Sequence, residues 1–317
     1  MPQTDSFAPV IRADDGTRQV TVRVALPGTC GELVQGTLDG TPCLVSCPID
    51  LYSTAELTVC GQAGWQTPDD APKATAALRA GLEYLARRDS GDIAPGGRLT
   101  LISSLPRGRG YASSTADVGA ALYALGEACG RSLTSPEAAR LAVGVEPSDS
   151  TVFEGLALFD HRTGSFYRLL GPAPALSLIV IDPGGQVDTL TFNRADHRPA
   201  LRRLATQHRE AFEMLANGLQ RGDWAAVGQA ATLSAKCHQA ILPSPLLDRV
   251  SSLARQVEAL GVCRAHSGTI LGLLLSPEQA DIDGAVCVVR RSLPNNISVS
   301  VHRLVDGGPR VVQGGRR

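Results

Sequence analysis

Residues 106–116 read Pro-Arg-Gly-Arg-Gly-Tyr-Ala-Ser-Ser-Thr-Ala, a set of residue types suited to holding an anion. Gly108 and Gly110 let the backbone turn sharply and come close to a ligand. Ser113, Ser114 and Thr115 are small hydroxyl residues placed where a helical pattern begins. A helix start offers N–H groups without intrahelical partners and the positive end of the dipole. Together these features make a phosphate site, although a glycine turn before a helix also serves a purely structural purpose. The spacing is not the dinucleotide fingerprint, and no Gly-Lys-Ser/Thr closes a Walker-type loop.

Three further segments carry reactive side chains. Residues 27–36 combine three glycines with Glu32 and Gln35 directly after a strand-like run, and alone they would read as a hairpin connection. Glu146 and Asp149 flank Pro147-Ser148, either as turn-capping acids or as a catalytic pair. Residues 263–272 place His266, Ser267 and Gly268 between two strand-like runs, where a lone histidine is more often structural than catalytic. Lys236 and Gln239 share one helix face and suit either a carboxylate or solvent.

The elements that must position these residues follow from periodicity. Alternating apolar residues predict strands at 20–26, 53–60, 98–105, 156–159, 166–170, 176–181, 262–265, 269–275 and 297–304. Residues 27–36 are expected as loop. Helical spacing predicts helices at 71–88, 113–129, from Ser135, then at 199–219, 223–240, 245–259 and 277–292. Mixed order without a strict βαβ repeat argues for α+β rather than a doubly wound sheet. The Pro172-Ala-Pro174 link suggests a division into 19–172 and 173–308, with tails at 1–18 and 309–317.

Composition excludes several classes. The chain has 317 residues, 43% hydrophobic and 19% charged, and a net charge of −1, which leaves no electrostatic footprint for nucleic acid or membrane. No apolar run reaches membrane-spanning length and residues 1–16 lack an apolar signal core, so a cytoplasmic location is expected. Eight scattered cysteines without a second ligand pair read as buried free thiols.

Taken together, the motifs resemble those of the GHMP kinases, the group of galactokinase and of the homoserine, mevalonate and phosphomevalonate kinases. Residues 106–116 are similar to the central Pro-x-Gly-x-Gly-Leu-Gly-Ser-Ser-Ala-Ala, with Tyr111, Ala112 and Thr115 replacing Leu, Gly and the first Ala. The resemblance implies that Pro106, Gly108, Arg109, Gly110, Tyr111, Ala112, Ser113, Ser114 and Thr115 wrap the phosphates of ATP. Residues 27–36 occupy the place of the N-terminal Pro-Gly-Lys…Gly-Glu motif, with Thr29 where many members carry Lys or Arg. Their pattern, Pro-x-x-Cys-Gly-Glu-Leu-x-Gln-Gly, resembles the branch that phosphorylates L-threonine in cobalamin biosynthesis. Thr29, Cys30, Gly31, Glu32 and Gln35 are then expected at the substrate. A Glu and a Gln suit the ammonium and carboxylate of a free amino acid.

Residues 145–151 resemble the family's acidic loop, Pro-Ser-Gly-x-Asp. That implies Mg²⁺ held by Glu146 with the Ser113 and Ser114 hydroxyls, and Asp149 as base or orienter of the acceptor hydroxyl. The loop is shorter here, and Asp149 stands where the family has Gly. Residues 263–272 are similar to the C-terminal Gly-Ala-Gly-x-Gly-Gly motif, with His266, Ser267 and Gly268 expected at substrate or phosphate. Without a lysine at position 29, Arg109 is the expected neutralising charge. The implied fold is the two-domain α+β GHMP kinase fold, a ribosomal S5 domain 2-like N-terminal domain followed by a ferredoxin-like domain. The implied activity is ATP-dependent phosphorylation of L-threonine. A kinase for homoserine or ethanolamine, and a non-catalytic ATP or metabolite sensor, stand as alternatives.

Overall fold

Two long antiparallel strands organise the computed structural model, which describes residues 10–14, 17–89, 93–187, 189–279 and 281–312. A short strand, β1 (Val10–Asp14), pairs with the start of β2 (Thr17–Leu38). β2 runs into β3 (Thr41–Cys60) through Asp39 and Gly40, both at positive φ (51° and 81°). That is the backbone of a tight Asp-Gly hairpin. Ordered strand thus reaches into the segment expected as tail.

The stretch 27–36 is strand, not the loop expected from its glycines. β2 stays paired with β3 across it, with register shifts at Pro27/Thr29, Thr29/Glu32 and Glu32/Val34. Bulges of this kind absorb extra residues and re-aim side chains. Gly31 takes a positive φ of 60° at the centre of the irregular region. The motif therefore sits on a kinked strand whose side chains have fixed directions.

The first half continues with β4 (Gly64–Gln66), α1 (Pro72–Asp89), β5 (Gly96–Ser103), α2 (Ser113–Ala128) and α3 (Ser135–Val145). β5 pairs antiparallel with β3 along its full length. α2 is apolar or small on nearly every face because it is covered by the sheet on one side and by α1 and α3 on the other; Ala116, Val118, Ala120, Ala121, Leu122 and Leu125 are all fully buried. β6 (Leu156–Phe159) and β7 (Tyr167–Gly171) form a hairpin attached to β3.

The second half contains β8 (Ser177–Asp182), α4 (Thr189–Arg194), α5 (Arg198–Arg203), α6 (Ala205–Arg221), α7 (Trp224–His238), α8 (Leu247–Gln256), β9 (Gly261–Arg264), β10 (Leu271–Leu275), α9 (Ile282–Ser292), β11 (Ser298–Arg303) and β12 (Arg310–Val311). α4 was not foreseen, the helix expected over 199–219 breaks at Leu204, and α9 starts at Ile282 behind the Asp281 cap rather than at Pro277. In β8 the residues alternate between two cores. Ile179 and Ile181 pack with α8 and α9, while Leu178 and Val180 face the larger core of the first half.

Among the described residues, one continuous sheet follows the order β11-β8-β10-β9-β2-β3-β5-β4. The halves join where Glu32 of β2 pairs with Arg264 of β9. β12 adds to β2 through Arg310↔Ala25 and Val311↔Val24, so part of the expected C-terminal tail is sheet. Residues 1–9, 15–16 and 313–317 of the two expected tails lie outside the described residues. Of the cysteines, Cys60 and Cys129 are half-buried and Cys287 is exposed, so the buried-thiol expectation holds for the other five. No helix among the described residues is long and apolar enough to cross a membrane.

Candidate active site

β5 delivers the chain to the glycine loop, and α2 carries it away. Between them Gly108, Gly110 and Ala112 take positive φ values of 73°, 102° and 55°. α2 starts at Ser113 with no side-chain cap. Its first-turn residues Ser113, Ser114 and Thr115 line a cleft of about 400 Å³, as an anion site at a helix start requires.

The loop is clamped from two sides. From β2, Thr29 N–H donates to the Tyr111 carbonyl at 3.0 Å and Gly31 N–H to the Gly110 carbonyl at 3.3 Å. The Thr29 hydroxyl adds a bond to the Gly110 carbonyl at 3.1 Å. From the β9–β10 loop, the N–H groups of Thr269 and Ile270 donate to the Arg109 carbonyl at 2.9 and 3.2 Å. Gly268 lies so close that a Cβ there would stand 2.3 Å from the Arg109 oxygen and 2.4 Å from Gly110 Cα. All three sequence motifs therefore meet at one loop.

The acidic residues arrive from the α3–β6 connection. Ser148 N–H donates to the His161 carbonyl at 3.0 Å, and the backbone N–H groups of Ser46 and Ser150 each donate to the other's hydroxyl at 3.0 and 3.1 Å. So anchored, Asp149 accepts from the Thr115 hydroxyl at 3.0 Å. Glu146 accepts from the Ser114 hydroxyl through Oε1 and pairs with Lys73 through Oε2.

Glu32, 3% exposed, reaches the same cleft from the kinked strand, and its Oε2 is buried without a hydrogen-bond partner. Burial and the neighbouring Asp149 charge push the Glu32 pKa well above the usual carboxylate range. Burial also raises Asp149, but bonds from Glu32 and Thr115 oppose that rise. Two buried carboxyls in contact cannot both ionise cheaply. Both carboxyls are raised, Glu32 the further of the two, so the pair holds a proton more readily than free carboxylates do.

His266 packs against the imidazoles of His161 and His238, with ring centroids 4.9 and 5.4 Å apart. His266 Nδ1 lies 2.6 Å from Gln35 Oε1, and Gln35 Nε2 donates to the Arg264 carbonyl at 3.3 Å. The amide orientation is thereby fixed, so the bond to Gln35 Oε1 requires the proton on Nδ1 of His266. Burial holds His266 well below the ordinary histidine range and lowers His161 to about 4. Both rings are thus neutral at pH 7. They form the wall between the first cleft and a second cavity of about 350 Å³, lined also by Arg162, Arg194, Arg198 and Asp196.

Most of the residues singled out in the sequence gather here, with several differences of role. Gly108, Gly110, Tyr111, Ala112, Ser113, Ser114, Thr115, Glu32, Glu146, Asp149, His266 and Ser267 line the cleft, and Gln35 the second cavity. Arg109 does not line it: its guanidinium pairs with Asp182 at 3.0 Å. Pro106, Thr29, Gly31 and Gly268 shape or brace the loop, and Cys30 is buried against Cys263. Lys236 is exposed and Gln239 is engaged by Ser244 and Arg264, so neither reaches the cleft.

Sequence reasoning missed Lys73, Arg107, Asp117 and His161, which all line the cleft. Lys73 did leave a trace, since a cation in a helix's first turn opposes the dipole. So did Asp117, an acid inside a run of small and apolar residues; burial raises its pKa even though Ser53 donates to it.

Comparison with known proteins agrees with this arrangement. Residues 73–157 match the GHMP kinases N terminal domain. L-threonine kinase of Citrobacter freundii is 35% identical over 259 residues, covering 81% of this chain and 87% of that protein. L-threonine kinase of Salmonella typhimurium is 34% identical, covering 81% and 83%. Among solved structures, homoserine kinase of Cytophaga hutchinsonii superposes with a TM-score of 0.68 at 18% identity, over 92% of this chain and 97% of that one.

Proposed function

The chain belongs to the GHMP kinases and is an ATP-dependent phosphotransferase acting on a small alcohol, and from that premise we propose that its acceptor is the side-chain hydroxyl of L-threonine. The observation that carries the reading is the buried Glu32–Asp149 pair in the cleft that the glycine loop and the start of α2 line. Asp149, held by the Thr115 hydroxyl, is the group that receives a proton. Glu32, buried with a free oxygen, suits an ammonium, whose positive charge would favour the ionised carboxylate. A hydroxyl and an ammonium on one small molecule fit a hydroxy amino acid, the substrate class that the two L-threonine kinase relatives name.

Catalysis here is positioning and charge neutralisation. The loop 108–115 holds the β- and γ-phosphates of ATP through backbone N–H groups. The acceptor oxygen forms a bond to the γ-phosphorus as the bond to the β–γ bridging oxygen breaks. Its proton passes to Asp149 late in a loose transition state. Ser114 and Glu146 present hydroxyl and carboxylate oxygens side by side, a hard donor set that fits Mg²⁺. When bound, that ion neutralises charge on the β- and γ-phosphates. Clamping of the loop by Thr29 and Thr269 keeps the phosphate cradle from relaxing.

The product is O-phospho-L-threonine, a precursor suited to the aminopropanol arm of cobalamin, and the setting is cytoplasmic. The test is ADP release with Mg·ATP against threonine, serine, homoserine, ethanolamine and mevalonate. A strong preference for threonine is expected; preference for any other alcohol would overturn the acceptor while leaving the kinase assignment in place.

A further inference from the structure

Three cationic side chains stand near the phosphate loop, and their partners differ. Arg109 turns away to Asp182. Arg107 is shared between Asp70 and Asp117, 3.6 Å from each, and donates to the Asp70 carbonyl at 2.6 Å. Lys73 is ion-paired with Glu146. Thr29, at the place of the lysine seen in many GHMP kinases, is fully buried and donates to the Gly110 carbonyl. No charge can act from position 29.

The two oxygens of Glu146 are divided between Ser114 and Lys73. Lys73 sits in the first turn of α1, where the helix dipole disfavours a cation. Its side chain is 41% exposed, against 17% for Glu146, so the ammonium is free to swing while the carboxylate is not. The position of Lys73 therefore depends on the charge of Glu146. Once that charge is shared with a divalent ion, the ammonium loses its counter-charge beside Gly108 and Ser114, where a triphosphate brings negative charge in excess.

We propose that Lys73 serves the transfer site in two positions, neutralising Glu146 in the empty enzyme and a phosphate oxygen of ATP in the loaded one. It thereby supplies the positive charge that position 29 lacks. The inference rests on the reading of Glu146 as a metal ligand, and the measurements separate the two.

Lys73→Met and Lys73→Arg are compared with the wild type by calorimetric titration of Mg·ATP, and by thermal unfolding with and without Mg²⁺. Lys73→Met is expected to weaken Mg·ATP binding by about tenfold, the scale of one lost charge-assisted contact, while Lys73→Arg retains most of it. Mg²⁺ alone should raise the Tm of Lys73→Met more than that of the wild type, because Glu146 is then unpaired. A lower Tm for Lys73→Met with unchanged Mg·ATP affinity would make Lys73 purely structural and overturn the proposal. Should Glu146→Gln respond to Mg²⁺ as the wild type does, the metal reading falls and the exchange of partners falls with it.

Discussion

Thr29 and Gly110 are bonded through the threonine hydroxyl and the glycine carbonyl at 3.1 Å, so the first motif braces the glycine loop. The side chain is fully buried. Thr29→Val keeps the shape and deletes the bond, leaving a carbonyl short of one donor. A loss of about 1–2 kcal/mol in stability is expected, with weaker ATP binding, and Thr29→Ser should recover both. Thermal unfolding and ATP titration check this. Thr29→Lys would bury an ammonium and should destabilise rather than restore the common motif.

Asp149 and Glu32 separate in kinetics if one receives the proton and the other binds the ammonium. Asp149→Asn should lower kcat by roughly 10²–10⁴, the range of a lost general base, with ATP affinity kept. Glu32→Gln should act mainly on the KM for threonine. An unchanged kcat in Asp149→Asn would remove it from the reaction.

The same pair sets a pH dependence. Burial and the Asp149 charge raise the Glu32 pKa, so at low pH Glu32 stays neutral and attracts an ammonium weakly. As pH rises through that raised pKa the carboxylate appears, and the KM for threonine should fall. In Glu32→Gln this fall should vanish while the pH dependence of kcat persists. Steady-state profiles run upward from the ordinary carboxylate value of about 4.3 discriminate the outcomes.

Gly268 packs where no side chain fits, a Cβ there lying 2.3 Å from the Arg109 oxygen. Gly268→Ala must push the phosphate loop, at a cost of about 1–3 kcal/mol, and should weaken ATP binding more than it lowers Tm. Tight ATP binding by this variant would show that the loop tolerates displacement.

The neutral histidines make the fold acid-sensitive. Burial lowers His161 to about 4, below the ordinary unfolded value of about 6.5. Between those two pH values the unfolded chain takes up a proton that the folded chain refuses, so stability is intact above pH 6.5 and falls as pH drops. His161 alone accounts for up to about 3 kcal/mol by pH 4; His238, lowered by burial to about 3, acts in the same direction. Denaturant unfolding at stepped pH should show the loss, and His161→Phe should reduce it.

The chemistry of the site was largely written in residue types, because glycines, hydroxyls and paired acids leave their mark wherever they occur. The strands with clean alternation, such as Leu156–Phe159, were equally legible. The segment 27–36 was misread because its proline and glycines break the alternation, whereas the strand absorbs them as bulges; Asp39-Gly40 was the signal that a hairpin lay beyond. Lys73 was invisible for another reason. Its partner Glu146 lies 73 positions away, and only the sheet and α2 bring them together. Arg109 looked free in one dimension and is held by Asp182 in three.

The sheet also constrains how the molecule is made. β2 carries the first motif, yet it is flanked by β9 at Glu32↔Arg264 and by β12 at Arg310↔Ala25. During synthesis the ribosome releases β2 and β3 hundreds of residues before those neighbours exist. The earliest strand of the site must wait, with one edge open, for nearly the whole chain to emerge. Such long-range closure slows folding and leaves an adhesive edge meanwhile. A truncation that spares every site residue but removes β12 would therefore be expected to cost soluble yield before it costs affinity.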